Sequence, residues 1–259
     1  MDAEKVRLGG MALQNGVLVH GPTSWGCAVR DESGAVHVAS GKKPTLAPVA
    51  QVRMPVLRGP IRLAEAFALL PTVRRALPQA RFPFERPAIL GAIVASSVSV
   101  RAIRRSRILP PGWTELTAAA AALLPAMLAV RGPNLAAYHG AEHISIGTYE
   151  NDAPAPKEHP RCGTQLIAPL VGASLAANAL VARVPRPARG LARLAGTTLA
   201  IGASIEVFAW TARHPDHPVA RALEWPGYEV QRRFSTAEPS PEQLEVANAA
   251  RDACLTLET

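Results

Sequence analysis

Five consecutive residues, from His139 to His143, have the types and spacing of a metal site. They read His-Gly-Ala-Glu-His. In a helix, residues three and four positions apart share one face, so His139, Glu142 and His143 would point the same way. Two imidazoles at this spacing can bind one divalent metal, and the carboxylate between them can accept a proton from a water molecule that the metal activates. The order H-x-x-E-H is that of the inverted zinc-hydrolase motif.

A second group of side chains with ligand chemistry begins 16 residues after His143. It reads His-Pro-Arg-Cys-Gly, and its His159 and Cys162 can supply an imidazole and a thiolate. One loop return is long enough to bring the two groups together around a single metal. Nitrogen and sulfur ligands suit zinc best, so we predict zinc as the cofactor. The predicted ligands are His139, His143, His159 and Cys162.

The number of protein ligands decides what such a zinc ion can do. Three ligands leave a coordination position for water, and Glu142 would then act as the general base of a hydrolysis. Four ligands close the site and make the metal structural. Glu150 is a further candidate ligand. The alternative to both is a capped helix with two hydrogen-bonded histidines and no metal. Elsewhere, the loop cluster of His214, Asp216 and His217 is a weaker candidate for a metal site.

The rest of the sequence predicts an α+β protein in three parts. Residues 1–58 contain short apolar runs separated by turn signals, among them Asn15-Gly16, and the pattern around 31–34 is typical of a hairpin. This predicts a small β-rich N-terminal unit. Residues 59–212 have helical patterns and carry the His/Glu/Cys cluster. Residues 213–259 form a tail that ends in a helix.

Two helix starts can be read from local signals. Pro133-Asn134 precedes the His/Glu cluster, with Asn134 in the role of N-cap. In the tail, Ser240 is followed by a proline and, at the third helical position, by Gln243, which is the spacing of a capping box. The first start predicts that the cluster lies on a helix.

Four segments of the middle region are almost free of charge. Residues 88–100, 116–130 and 164–182 contain no charged side chain, and 194–211 contain Glu206 alone. A helix that spans a bilayer needs about 20 apolar residues. Much of the apolar content is alanine, which is only marginally favourable for insertion. The composition therefore leaves open both a membrane-embedded bundle and a soluble bundle of alanine-rich helices.

Charge and cysteine content narrow the location and partners of the chain. The formal net charge is +8, but the arginines are scattered and have no aromatic partners, so we predict no nucleic-acid binding and favour an anionic bilayer as neighbour. The three cysteines lack the spacing of a disulfide framework, which indicates a reducing compartment. The polar start of the chain has no apolar leader, so we expect the N-terminal unit to be cytosolic. An even number of membrane crossings would then place the metal-site loop and the C-terminus in the cytosol as well.

Several motifs, in this order along the chain, are similar to one bacterial family. They are Gly9-Gly10, Asn15-Gly16-Val17, Gly21-Pro22, Ser24-Trp25, Pro55-Val56-Leu57-Arg58-Gly59, Tyr138 to His143, Tyr149-Glu150, His159 to Thr164, Pro226-Gly227, Gln231-Arg232 and Glu238-Pro239. Together they resemble the YqhQ-like family of bacterial membrane proteins. That family is a domain of unknown function whose members are described as predicted metal-dependent enzymes. The resemblance implies membrane insertion, membrane lipid as a partner and a place in the bacterial inner (cell) membrane.

Two hypotheses about function follow. The first is a membrane-associated zinc hydrolase with Glu142 as its general base. The second is a non-catalytic membrane scaffold or assembly protein whose zinc clamps a loop. A transporter, suggested by Glu65 and Glu206 in or near apolar segments, is a weaker third hypothesis, because the sequence contains no internal repeat. No motif identifies a substrate or an oligomeric state.

Overall fold

The α+β class predicted from the sequence is confirmed. The computed structural model describes residues 5–44, 55–106 and 108–258. Its strands are β1 (Gly9–Leu13), β2 (Gly16–His20), β3 (Ser24–Arg30) and β4 (Val36–Lys42). Its α-helices are α1 (Pro55–Ala68), α2 (Leu70–Ala76), α3 (Pro87–Ser106), α4 (Pro111–Ala129), α5 (Pro133–Asn151), α6 (Ile167–Ala182), α7 (Arg189–Thr211), α8 (Pro218–Val230) and α9 (Pro241–Leu255). Short 3₁₀ helices precede α3, α6 and α7, and a π-helix, Gln231–Ser235, follows α8.

The four strands form one antiparallel meander in the order β1-β2-β3-β4. The β1–β2 pair starts at Leu13 opposite Gly16, so only two residues connect these strands. The hairpin expected around 31–34 is present between β3 and β4, and Gly34 takes the positive φ of 89° that its loop requires. Because strand order follows chain order, β1 is an edge strand, and this edge lies beside α5.

Both faces of the sheet are covered. On one face, apolar side chains of β2 and β3 pack against α5 and α9. The core of this layer is made by Leu8, Val17, Val19, Ala28, Tyr138, Ala141, Ile146, Val246, Ala247, Ala250 and Cys254. On the other face, the sheet packs against α2 and the segment after it, through Leu13, Leu18, Trp25, Cys27, Val29, Leu69, Val73, Leu77, Ala80 and Phe82. The C-terminal helix is therefore part of the core of the N-terminal sheet.

Helix α9 begins as the sequence predicts. The Ser240 side chain accepts a hydrogen bond from the backbone N–H of Gln243, and the Gln243 side chain accepts one from the backbone N–H of Ser240. The predicted start of α5 is wrong by two residues. Gly132, not Asn134, precedes the first helical residue, and no side chain caps this end. Proline at the first position explains the shift, because its missing N–H needs no cap there.

Four helices are long and apolar enough to cross a membrane, by length and composition. They cover Pro87–Ser106, Gly112–Ala129, Gly163–Ala182 and Arg186–Thr211, and at most 17% of each apolar window is buried inside the protein. They pack as two antiparallel pairs, α3 with α4 and α6 with α7. Large apolar side chains on their outer faces are exposed, among them Leu90, Val94, Leu124, Leu180 and Leu194. These helices are compatible with membrane association.

The connections place the sheet at one end of this bundle. Helix α3 begins five residues after the core residue Phe82, and α4 leads into α5, which packs against β1. Helices of about 20 residues are about 30 Å long. The turn between α3 and α4 and the loop between α6 and α7 therefore lie at the end far from the sheet. The proposed division into three domains at 58 and 212 stays a prediction.

Candidate metal centre

Helix α5 carries the His/Glu cluster against the chain that follows α8. A Cβ atom on Gly140 would lie 2.2 Å from the carbonyl oxygen of Ala237, so only glycine permits this close approach. The backbone N–H of Ala237 donates to the carbonyl of Ala136 in α5. The same segment brings the carbonyl of Ser235 to within 2.8 Å of His139 Nδ1. Gly140 therefore lets a second piece of backbone orient the first histidine.

The loop after α5 orients the second histidine. Its return toward the helix depends on another glycine, since a Cβ on Gly147 would lie 2.7 Å from the Cβ of Ala155. The carbonyl of Lys157 in this loop is 2.6 Å from His143 Nδ1. Cys162 then lies at the start of the 3₁₀ helix that precedes α6. The loop after α5 thus brings the two predicted ligand clusters together, as the sequence predicts.

Three of the four predicted ligands come together. Ligand atoms of His139, His143 and Cys162 all lie within 4.8 Å of one another. The distance from His139 Nε2 to Cys162 Sγ is 3.5 Å, and the two imidazole rings are 4.3 Å apart. His143 and Cys162 are buried and His139 is partly buried. In the described parts of the chain no other set of three His, Cys, Asp or Glu side chains is gathered in this way.

Both imidazoles have the hydrogen bonding of metal ligands. A carbonyl oxygen can only accept, so the Nδ1 atom of each ring must carry the proton and donate it to Ser235 or Lys157. The Nε2 atoms then hold free lone pairs, and His139 Nε2 faces the Cys162 sulfur. Histidines that bind metals usually donate their other ring N–H in this way, which fixes the tautomer and the ring orientation. The residues therefore fit a zinc ion, with two nitrogens and one sulfur.

The fourth predicted ligand, His159, does not join this group. Its Nδ1 accepts the backbone N–H of Arg161 at 3.2 Å, and its Nε2 is 3.4 Å from an oxygen of Glu150. Glu150 also forms an ion pair with Arg161. The His159 ring is nevertheless only 5.5 Å from that of His143. His159 and Glu150, both proposed as ligands, are paired with each other next to the centre.

Glu142 lies in the same buried region and contacts β1. It is 6% exposed, and a Cβ on Gly10 would lie 2.4 Å from its Oε1 atom. Burial raises the pKa of the Glu142 carboxyl to about 7, against a smaller lowering by His139 and by the N–H of Ala12. A Cβ at this position of β1 would require the Glu142 side chain to shift.

The other buried groups of the centre affect each other's ionisation. Burial lowers the pKa of His143, although its contact with Cys162 acts in the opposite direction. Burial raises the pKa of Cys162, but the contact with His143 and the hydrogen bonds of Thr164 outweigh it, so the pKa of the thiol lies below its ordinary value. The pKa of Glu150 is lowered as well, because hydrogen bonds from His159 and Arg161 outweigh its burial. A thiol of lowered pKa favours the thiolate that binds zinc.

One residue that holds the loop was missed by sequence reasoning. Gln231, which is fully buried, accepts the backbone N–H of His159 at 2.8 Å and donates to the His159 carbonyl and the Thr164 hydroxyl. It thereby fixes both ends of the segment that contains Cys162. Gln231 appeared only as part of a family motif, and its distance of 67 and 72 residues from these partners gave no local signal.

A cavity of about 540 Å³ adjoins the centre. One end is lined by His139, Glu142, His143, Cys162 and Arg161. The walls beyond are apolar, with Leu123, Ala126, Met127 and Val130 from α4 and its end, and Leu166, Ile167 and Leu170 from the start of α6. This volume is within the usual range of ligand pockets, about 300–1,000 Å³. The candidate ligands thus face a space large enough for a substrate.

The second histidine cluster of the sequence has structural roles. His214 stacks on Trp210 with ring centroids 5.1 Å apart, and its Nδ1 lies 2.9 Å from the Trp210 carbonyl. His217 precedes α8 and accepts the backbone N–H of Val219, as an N-cap does. These contacts account for both histidines without a metal.

The fold and the site together define an α+β protein with four apolar helices and a largely buried group of two histidines and one cysteine. Residues 133–257 match the family described as "Protein of unknown function (DUF1385)". The chain is also similar to the "Uncharacterized protein YqhQ" of Bacillus subtilis (strain 168), with 34% identity over 129 residues. Both matches support the resemblance to a YqhQ-like family of unknown function.

The similarity is confined to part of each protein. It covers 47% of this chain, and the chain spans only 40% of the length of the Bacillus relative. The matched segment 133–257 contains all four predicted ligands and Gln231. No solved structure matches the chain.

Proposed function

We propose that this chain is a membrane-associated, zinc-dependent hydrolase. The observation that carries the proposal is the convergence of His139, His143 and Cys162 with both Nδ1 atoms bound to backbone carbonyls. This arrangement prepares three ligand atoms for one cation. A histidine in an ordinary apolar core would use both ring nitrogens for hydrogen bonds, whereas here the two Nε2 atoms stay available to a cation. A zinc ion fits the donor set better than magnesium or calcium, which prefer oxygen ligands.

Three protein ligands fit an enzyme better than a purely structural site. Catalytic zinc is held by three protein ligands, and a fourth position stays open, whereas structural zinc has four protein ligands. The fourth predicted ligand, His159, is held by Arg161 and Glu150 instead. The group also faces a cavity of about 540 Å³ rather than a closed core. Bound zinc would supply positive charge that polarises a substrate carbonyl or phosphoryl group and acidifies water.

Glu142 is the residue that we propose for proton transfer. It lies one position before His143 on the same helix and lines the same cavity. As general base it would accept a proton from the attacking water and deliver this proton to the leaving group, so that water adds across the cleaved bond. The N–H of Ala12 and the close approach of Gly10 hold the carboxylate in place.

The first test measures zinc content in purified full-length protein. Cys162→Ala and His143→Ala should each lose most of the bound zinc, because each removes one of three ligands. Cys27→Ala is the matched control, since Cys27 is a buried cysteine in the core on the far face of the sheet. Zinc retained by the two ligand variants as well as by the control would contradict the proposed centre.

The second test separates an enzyme from a structural zinc protein. Glu142→Gln should keep its zinc. Its turnover of ester, amide and phosphoester model substrates should be about 10²–10⁴-fold lower than that of the wild type, because general-base catalysis has that magnitude. X-ray absorption at the zinc edge should show two nitrogen ligands, one sulfur at about 2.3 Å and one light atom from solvent. Equal turnover of Glu142→Gln and wild type would contradict the hydrolase.

A structural zinc site in a membrane scaffold is the second candidate. The observation in its favour is the short distance of 5.5 Å between the rings of His143 and His159, since a rotation of His159 away from Glu150 would add a fourth ligand. His159→Ala separates the two functions. In a scaffold it should release zinc as Cys162→Ala does, and in a hydrolase it should keep zinc.

A further inference from the structure

The cavity beside the candidate metal centre is polar at one end and apolar along its length. Its polar end holds the candidate ligands, Glu142 and Arg161. From Leu123 to Val130 the wall follows α4 for seven residues, or about 10 Å at the rise of an α-helix. Ile167 and Leu170 at the start of α6 also line the cavity, and residues of β1 and Phe84 add to the lining. The walls from α4 and α6 belong to helices whose length and composition suit a bilayer.

A second cavity lies next to the first and is lined by α4 and α6 together with residues of α3 and α7. It has a volume of about 330 Å³, and Leu123 and Leu170 line both cavities, so the two meet at these side chains. Small residues such as Ala119, Ala122 and Ser174 line its middle. Its far end contains the ion pair of Arg104 and Glu115 at 2.9 Å, and Glu115 also accepts a hydrogen bond from Asn178. The space between α4 and α6 thus continues from the metal centre toward the end far from the sheet.

Away from the candidate ligands, the walls of the larger cavity offer apolar side chains to a ligand and few hydrogen-bonding groups. Most backbone N–H and C=O groups of a helix bond within the helix, so α4 and α6 have few to give except in their end turns. A hydrocarbon chain needs none, whereas a peptide that entered the same space would leave polar backbone groups unpaired at a cost. In a bilayer, lipid chains would surround the same helices that form these walls. These properties favour a lipid over a peptide as the occupant.

We infer that the substrate is a membrane lipid whose hydrocarbon chain lies between α4 and α6. Its ester-linked head would then lie beside His139, His143 and Cys162. This inference rests on the proposed hydrolase function. In the reaction the ester bond breaks, the oxygen of water bonds to the released acid, and a proton of water passes through Glu142 to the leaving oxygen.

Photo-crosslinking in lipid nanodiscs tests this placement. The probe is a phosphatidylglycerol with a photoreactive group in its acyl chain, added to the zinc-loaded full-length protein, and mass spectrometry maps the labelled residues. We expect labels on Met127, Ile167 and Leu170 in addition to the outer faces of the bundle. Labels on outward-facing residues such as Leu124 and Leu180 alone would overturn the inference.

Cavity-filling variants provide the matched comparison. Met127→Trp and Leu170→Trp narrow the space from opposite walls and should each lower the cavity labelling about tenfold. Leu124→Trp is the control, because Leu124 lies on the same helix as Met127 but is 52% exposed. Two variants from different helices guard against a failure of either one to fold. Equal cavity labelling in all three variants would contradict a chain at this position.

The same samples separate this inference from the proposed function. Zinc content is measured before labelling, and the experiment is repeated with Cys162→Ala. Cavity labelling with no zinc in any sample would refute the hydrolase and leave only a lipid site. Bound zinc without cavity labelling would refute the lipid and leave the hydrolase. Labelling by a photoreactive hydrophobic peptide, but not by the lipid, would overturn the inference in favour of a peptide substrate.

Discussion

At the scale of single residues, glycines decide which groups can reach the centre. Gly140 admits the backbone of Ala237, and Gly10 admits the Glu142 carboxylate. In each case a Cβ atom would lie within 2.4 Å of its neighbour. The histidines supply the ligand chemistry, but these glycines permit the contacts that orient it.

Substitution of Gly10 should disturb Glu142 without removing the metal ligands. In Gly10→Ala the new methyl group overlaps the carboxylate, so the Glu142 side chain must move. We expect normal zinc content and a turnover lowered about 10²-fold or more, as for loss of a general base. The control is Gly163→Ala, which lies in the same cavity wall but where a Cβ meets no atom within 4 Å. Unchanged turnover in Gly10→Ala would argue against Glu142 as the base.

His20 makes the stability of the sheet dependent on pH. Burial and the nearby Lys43 lower the pKa of His20 to about 4, from an ordinary value of 6.5. As the pH falls below 6.5, the unfolded chain binds this proton before the folded chain does, so the folded state loses stability until about pH 4. The loss should reach about 3 kcal/mol, at 1.36 kcal/mol per pKa unit.

The effect of His20 can be isolated by substitution. His20→Gln removes the titrating group, so its free energy of unfolding should fall less than that of the wild type between pH 7 and pH 4, by about the same 3 kcal/mol. His214→Gln, at an exposed position, is the control and should follow the wild type. An equal dependence of the free energy of unfolding on pH in all three proteins would contradict the burial of an uncharged His20.

At the scale of elements, close backbone packing joins the N-terminal sheet to the C-terminal helix. A Cβ on Gly26 in β3 would lie 2.3 Å from the carbonyl oxygen of Ala250 and 2.5 Å from the backbone nitrogen of Cys254, both in α9. The Ser24 hydroxyl also donates to the carbonyl of Cys254 at 2.9 Å. Helix α9 therefore rests directly on the backbone of β3.

Substitution of Gly26 should separate α9 from the sheet. Because backbone atoms of α9 must move to admit a methyl group, Gly26→Ala should lower the free energy of unfolding by about 1–3 kcal/mol, as measured by chemical denaturation in detergent. Hydrogen exchange should also become faster in α9 and β3. In the control Gly91→Ala the new Cβ meets no atom within 4 Å, so stability should not fall. Equal free energies of unfolding for Gly26→Ala and Gly91→Ala would contradict the close packing of α9 on β3.

At the scale of the whole molecule, the sheet, the candidate centre and the C-terminal helix all lie at one end of the apolar helices. The three native cysteines are buried, so single cysteines introduced elsewhere can be labelled selectively. Ser33 is exposed at the sheet end, and Ala188 is exposed in the loop between α6 and α7 at the other end. If the four helices span a membrane, these two positions lie on opposite sides of it.

The predicted cytosolic location of the sheet can be tested by labelling these single cysteines in intact bacteria. With a maleimide that cannot cross the membrane, Ala188→Cys should be labelled in whole cells, and Ser33→Cys only after lysis. The wild type, with its buried cysteines, is the control for background. The reverse pattern would place the centre outside the cytosol, and labelling of both positions in whole cells would argue against a chain that spans the membrane.

Local spacing was enough to predict several parts of this protein. The helical face shared by His139, Glu142 and His143 follows from the period of the α-helix, and the start of α9 follows from the three-residue spacing of Ser240 and Gln243. The uncharged segments predicted the four long apolar helices for the same reason, since length and composition are properties of a continuous stretch of chain. These features depend only on neighbours along the chain.

Contacts between distant segments decided the rest. Whether His159 faces the candidate metal or Glu150 depends on how Gln231 holds the loop from 72 residues away. The packing of α9 on β3 and the cavity between α4 and α6 likewise depend on segments far apart in sequence. The sequence alone therefore determined which residues have ligand chemistry and which helix carries them. Only the tertiary structure decided which of them meet, because side-chain direction in a loop is set by its distant hydrogen-bond partners and not by its own spacing.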